Sequence, residues 1–166
     1  DIANKFNLTY GNFFNLPEPM IDETISFLPG LDGLKMSKSY SNYIELFSDE
    51  KKLQKQINQI KTDSLEPGEK KSKDSTLYKY FKCFVKDKEI KKIDNYFNEG
   101  MGWGDLKKEL FKVIDNELAP ARDKYFDLIN NPTRVEKLLV EGESKALKIA
   151  SENLEKIRTL VGIRSL

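Results

Sequence analysis

Apolar residues recur at helical spacing along most of this chain, and the exceptions mark its joints. DIANKFNLTYGNFF, residues 1–14, has the spacing of an amphipathic helix. Residues Met20 to Leu28, MIDETISFL, are β-branched and partly alternating and run into Pro29-Gly30, which predicts a short strand opening into a loop. From Ser48 the period is helical. Ser48 is placed as an N-cap with Asp49 and Glu50 in the first turn, and Leu53, Ile57 and Ile60 make a stripe that predicts a helix ending near Thr62. Residues 63–73, DSLEPGEKKSK, have loop composition. A second helix presents Leu77, Phe81, Phe84 and Val85, and a third Ile90, Ile93 and Phe97, before the glycine-rich turn NEGMGWG. A long helix follows with Leu106, Leu110, Val113, Ile114, Leu118, Ala121, Tyr125 and Leu128, and a kink is expected at Pro120. Asn131 and Pro132 begin the last helix as N-cap and N1, and Val135, Leu138, Leu139, Ala146, Ile149, Leu154, Ile157 and Val161 form its stripe, with Gly142 expected to admit a close neighbour. The expected architecture is mainly α: one helix-strand-loop unit, then an antiparallel helical bundle.

Composition narrows the chemistry. The 166 residues carry 28 basic and 27 acidic side chains, one cysteine and no histidine. No intramolecular disulfide, Cys/His zinc constellation or Ser-His or Cys-His pair is therefore possible within the chain. No apolar run reaches the length of a membrane span and no signal-peptide pattern stands at the front, so a cytoplasmic location and no membrane partner are expected. The chain begins with Asp1 inside a helical pattern, which suggests a piece of something longer. Charge divides it: residues 1–46 hold three lysines and six acidic residues, whereas residues 47–92 hold thirteen lysines and eight acidic residues.

The candidate chemistry lies in Gly30 to Tyr40, GLDGLKMSKSY. A loop at the end of a strand is where α/β sheets bind ligands. Lys35 and Lys38 offer two ammonium groups, Ser37 and Ser39 two hydroxyls and the backbone a run of N–H donors, a set suited to a polyphosphate. Gly30 and Gly33 would let the loop open and close. Asp49-Glu50 suits a helix N-terminus, Cys83 a packing position and Trp103 a core or turn anchor.

Lys35-Met36-Ser37-Lys38-Ser39 reads KMSKS, the signature of class I aminoacyl-tRNA synthetases. With LPGLDG before it, Tyr40-Ser41-Asn42 after it, IKTDS at 60–64, GWGDLKKEL at 102–110, LAPARDKY at 118–125 and ALKIASENLEKIRTLVG at 146–162, the whole chain resembles the C-terminal half of the bacterial tryptophanyl-tRNA synthetases. That resemblance implies that residues 1–46 are the C-terminal remnant of a Rossmann-like catalytic domain, and 47–166 a helical domain of the anticodon-binding type. It implies an enzyme that activates tryptophan with ATP, supplied with Mg2+, to tryptophanyl-adenylate and transfers it to tRNA(Trp). Lys35 and Lys38 would contact the triphosphate as the catalytic groups, Ser37 would support the phosphates, Met36 would lie against the adenine through its backbone, and Ser39 would complete the ATP-binding loop. Ile25 on the preceding strand is a further expected adenine contact. The family's HIGH-type motif, tryptophan pocket and ribose motif have no counterpart in this sequence, and Asp32 is not the ribose motif's aspartate. The fragment alone is therefore expected to be inactive, and the family's homodimer to form through the half not included. A basic surface with Tyr78, Tyr80 and Phe81 nearby would suit RNA phosphates and bases. Two other readings stand: a tyrosyl-tRNA synthetase fragment, and a stand-alone helical RNA-binding module whose KMSKS is a relic.

Overall fold

A computed structural model describes residues 1–21 and 28–163, the side chain of Asp87 excepted. The strand expected at 20–28 falls largely outside the described residues, as does Ile25. Among the described residues six helices follow one another: α1 Ile2–Tyr10, α2 Glu50–Asn58, α3 Thr76–Phe84, α4 Asp87–Asn98, α5 Trp103–Asn130 and α6 Pro132–Leu160. The described chain is mainly helical, as the periodicity predicts. It divides into two units, Asp1–Ile21 with Leu128–Leu166, and Asp22–Asp127.

The second unit holds the core. Leu53 and Ile57 of α2, Leu77, Tyr80 and Phe81 of α3, Ile93 and Phe97 of α4, and Leu106, Leu110 and Ile114 of α5 are all buried. Each such side chain removed from water contributes about 1.5–3 kcal/mol before entropy is counted. Phe97 meets both Phe81 and Trp103 edge-on, with ring centroids 6.2 and 6.1 Å apart. Trp103 is thus the turn anchor its sequence setting implies, and its indole Nε1 donates to Asp63 Oδ1 at 2.8 Å. Gly100 has φ +77°, and a Cβ there would overlap the backbone of Gly68 and Glu69. The glycine turn and the 63–73 loop therefore close on each other, with the Gly68 amide donating to the Gly100 carbonyl at 2.8 Å.

Two helix boundaries differ from expectation. The N-cap of α2 is Asp49, whose carboxylate accepts from the Lys52 amide at 2.9 Å, while Ser48 is buried one residue earlier with its hydroxyl turned to the Glu45 carbonyl. The same helix ends at Asn58, short of Thr62, because the Lys61 amide is diverted to the carbonyl of Leu31 at 2.8 Å. Arg122 is a buried charge that the pattern did not reveal. Its guanidinium donates to Asp115 at 2.6 Å and to the Ser48 carbonyl at 3.5 Å, which satisfies it.

In the first unit, α1 ends at Gly11 and the chain folds back, so that Asn7 accepts from the Phe13 and Phe14 amides and donates to the Phe14 carbonyl. Phe6, Tyr10, Phe13 and Phe14 make one aromatic cluster. Helix α6 starts as expected, with Asn131 as N-cap and Pro132 in its first turn, but its apolar stripe is not core. Leu138, Leu139, Leu147 and Ile149 are exposed, and nothing stands within 4 Å of a Cβ at Gly142. A stripe specifies burial only when a second surface covers it, and the described residues supply none there.

Candidate functional site

Residues 28–42 form a tight double-backed loop on the second unit. Pro29 and Lys35 pair as an antiparallel bridge, the Met36 amide donates to the Leu28 carbonyl at 3.1 Å, and the Gly30 amide to Leu34 at 2.6 Å. Leu28, Leu31, Met36 and Ile44 pack against the core, so the middle of KMSKS is pinned by the Met36 side chain. The Tyr80 hydroxyl donates to the Pro29 carbonyl at 2.5 Å and joins the loop to α3. Burial pushes the Tyr80 hydroxyl's pKa well above the ordinary tyrosine value, so it stays a donor even where an exposed tyrosine would ionise.

The loop's inner support is Asn42, only 5% exposed. Its Oδ1 accepts from the Ser37 amide at 2.8 Å, its Nδ2 donates to the Lys35 carbonyl at 3.2 Å and to Asp32 Oδ1 at 2.8 Å, and its carbonyl accepts from the Leu31 amide at 2.7 Å. The Asn42 amide holds the Asp32 carboxyl below the usual carboxylate range, with the Leu34 amide adding to the effect. A Cβ at Gly30 would overlap the side chain and carbonyl of Asn42. Gly30, expected as a hinge, is therefore a close-packing point.

The second half of KMSKS is less constrained. Lys38 and Ser39 are exposed, held by the Ser39 amide donating to Ser37 Oγ at 3.2 Å and the Ser41 amide donating to the Lys38 carbonyl at 3.1 Å. Lys35 is exposed too, and among the described residues neither lysine is in an ion pair. Two unneutralised ammonium groups thus flank a fixed Met36-Ser37 pair, an arrangement able to meet a polyanion. Met36, Ser37 and Lys38 also border a mainly apolar cavity of ≈ 670 Å³ shared with Tyr80, Phe84 and Ile114.

The structure brings the five sequence-predicted residues together in one loop, and adds Asn42, Asp32 and Tyr80 beneath it. Asn42 stood in the sequence only as part of the Tyr40-Ser41-Asn42 string. The aromatics expected to stack on RNA bases are a correction: Tyr78, Tyr80 and Phe81 are buried. Successive helical residues are 100° apart, so positions 77, 78, 80, 81 and 84 span a wide arc that faces the loop on one flank and α4 on the other. The Tyr78 hydroxyl donates to Asp94 at 2.6 Å, and burial with that partner pushes its pKa up to about 12. Lys71, in the stretch of loop composition 63–73, is also buried, donating to the carbonyls of Leu65 and Glu66 beside the Trp103 ring.

Among the described residues no helix is long and apolar enough to cross a membrane, and no group of acidic, cysteine or histidine side chains is arranged to hold a metal. Residues 1–119 match the family of class I tRNA synthetases for W and Y, and the chain belongs to that family. Within it the similarity is to the tryptophan enzymes. The chain is 44% identical to the tryptophan–tRNA ligase of Pseudomonas aeruginosa, covering 100% of this chain and 38% of that protein. It is also 44% identical to that of Neisseria meningitidis, covering 100% of this chain and 50% of that protein. A crystal structure of tryptophanyl-tRNA synthetase from Campylobacter jejuni, complexed with ADP and tryptophan, superposes with a TM-score of 0.80 at 36% identity, over 98% of this chain and 51% of that one. The chain therefore spans about half the length, or less, of the relatives it matches. Relatives named for tryptophan over nearly the whole chain favour the tryptophan branch over a tyrosyl fragment or an unrelated RNA-binding module.

Proposed function

We propose that this chain is the KMSKS-bearing part of a synthetase that activates tryptophan with ATP and charges tRNA(Trp). The observation that carries the reading is the loop itself: a Lys35–Ser39 segment whose first three residues are held from beneath, with two ammonium groups facing solvent. Adenylate formation places negative charge on the departing pyrophosphate, and cations that meet it are worth most in the transition state. Lys35 and Lys38 take that role, the Ser37 and Ser39 hydroxyls orient phosphate oxygens, and the Met36 backbone lies along the adenine. ATP enters as its Mg2+ complex, and the metal belongs to the substrate. Residues 1–46 complete a catalytic domain, and 47–166 offer tRNA an electrostatic surface of lysines. In this reading the relatives' other half supplies the tryptophan pocket and the dimer contact.

The test is a chimera in which this chain replaces the matching half of the Campylobacter jejuni enzyme. Tryptophan-dependent ATP–pyrophosphate exchange is expected from the chimera and only background from the 166 residues alone. Robust exchange by the isolated chain, or a folded chimera that accepts tyrosine and not tryptophan, would overturn the proposal.

A further inference from the structure

We propose that Asn42 is a positioning residue for adenylate formation: its amide sets the spacing of Lys35 and Ser37, and so the register of the two lysines on the nucleotide phosphates. This rests on the nucleotide reading of the loop and adds a residue to it.

Asn42 lies outside the pentapeptide and presents no free polar group to a ligand. Its Nδ2 hydrogens go to the Lys35 carbonyl and the Asp32 carboxylate and its Oδ1 receives the Ser37 amide, so it brackets Met36 from both sides. An amide alone can do this, because the site asks for one acceptor and two donors. Aspartate at 42 would supply no donor and would set a second carboxylate against Asp32, while alanine would remove the donors to the part-buried Asp32 carboxylate and Lys35 carbonyl. Gly30 leaves the space that Asn42 fills, and Asp32 is in turn fixed by the Leu34 amide at 3.0 Å. The device holds the backbone at Lys35 and Ser37 and leaves Lys38 on a local turn, so one lysine springs from a fixed backbone and the other is freer to follow the phosphates as charge develops.

Two measurements test this. In the 166-residue chain, Asn42→Ala should lower hydrogen-exchange protection of the Ser37 amide at least ~10-fold and leave the α3 amides unchanged, since one buried acceptor is lost and the core is not touched. In the chimera, the same substitution should lower the turnover of tryptophan-dependent exchange by roughly 10- to 100-fold at saturating ATP, with KM for tryptophan unchanged. Asn42→Asp should fall at least as far. Combining it with Asp32→Asn restores a donor–acceptor pair between 32 and 42 but no donor for the Lys35 carbonyl, so it should recover part of the lost turnover, a rescue that loss of general stability would not give. An unchanged Ser37 amide in Asn42→Ala overturns the geometry. Unchanged turnover, or a loss shared by KM for tryptophan and the α3 amides, overturns the positioning role. An inactive wild-type chimera overturns the nucleotide reading and the catalytic part of this proposal with it, while the Ser37 amide still decides the loop geometry.

Discussion

Lys38 is the residue on which the nucleotide reading is most exposed to refutation. It is a solvent-facing loop side chain outside any ion pair among the described residues, so its removal takes nothing from the core. In the chimera, Lys38→Ala should leave tryptophan affinity and melting temperature nearly unchanged and slow single-turnover adenylate formation by roughly 30- to 10³-fold, the value of about 2–4 kcal/mol of lost transition-state contact. Lys35→Ala should act alike, and the double variant should be less than additive if both cations meet one pyrophosphate. A rise only in KM for tRNA would make the loop an RNA contact. Tyr78 gives a second residue-scale expectation. Its pKa is raised from 10.0 to about 12 by burial and by Asp94, so the folded state favours the protonated phenol. That contribution is complete below pH 10 and is lost as pH rises toward 12. Thermal melts of the chain should show stability falling from about pH 10 upward, with a shallower fall in Tyr78→Phe.

At the scale of elements, local chemistry predicted existence well and boundaries less well. The stripes of α2 to α5 are legible in the sequence because Leu53, Ile57, Phe81, Phe97 and Leu110 each repeat at helical spacing and are buried where expected. The cap of α2 was not legible, since Ser48 and Asp49 are equally good cap residues and only the burial of Ser48 beneath Arg122 decides between them. Asp49→Ala should therefore destabilise the chain by about 1 kcal/mol, and Ser48→Ala should not remove the cap. Chemical denaturation of the two variants distinguishes them. The site shows the same division. KMSKS is visible as a string, whereas Asn42 and Tyr80 gain their meaning from partners 5 to 51 positions away, and spacing along the chain carries no record of those contacts.

At the scale of the whole molecule, the electrostatic case for RNA becomes narrower. The net charge of +1 conceals thirteen lysines within residues 47–92, but Lys71 is buried, and Lys52 and Lys73 are paired with Glu45 and Asp94. With the three aromatics in the core, phosphate attraction is the interaction left to this region. Binding of tRNA(Trp) by the chain should be weak and steeply salt-dependent. Three or four phosphate contacts would cost roughly 40- to 150-fold in affinity between 50 and 200 mM salt. Salt-insensitive binding, read by filter retention or anisotropy, would point to another interaction.

The hydrogen bond from Tyr80 to Pro29 also bears on the order in which the chain assembles. It joins residues 51 apart, and the Lys61 amide reaches back 30 positions to Leu31, so the segment leading into the pentapeptide is gripped at Pro29 and Leu31 by parts of the chain made long after it. Closing such spans costs entropy that local helices do not spend, and it is repaid only once α2 and α3 have docked. The loop proposed to meet ATP should thus be among the last features of its unit to form and among the first to be released. In pulse-labelled refolding, the Met36 and Lys61 amides should gain protection no earlier than those of α3, and Tyr80→Phe should delay them further while leaving the helices on schedule.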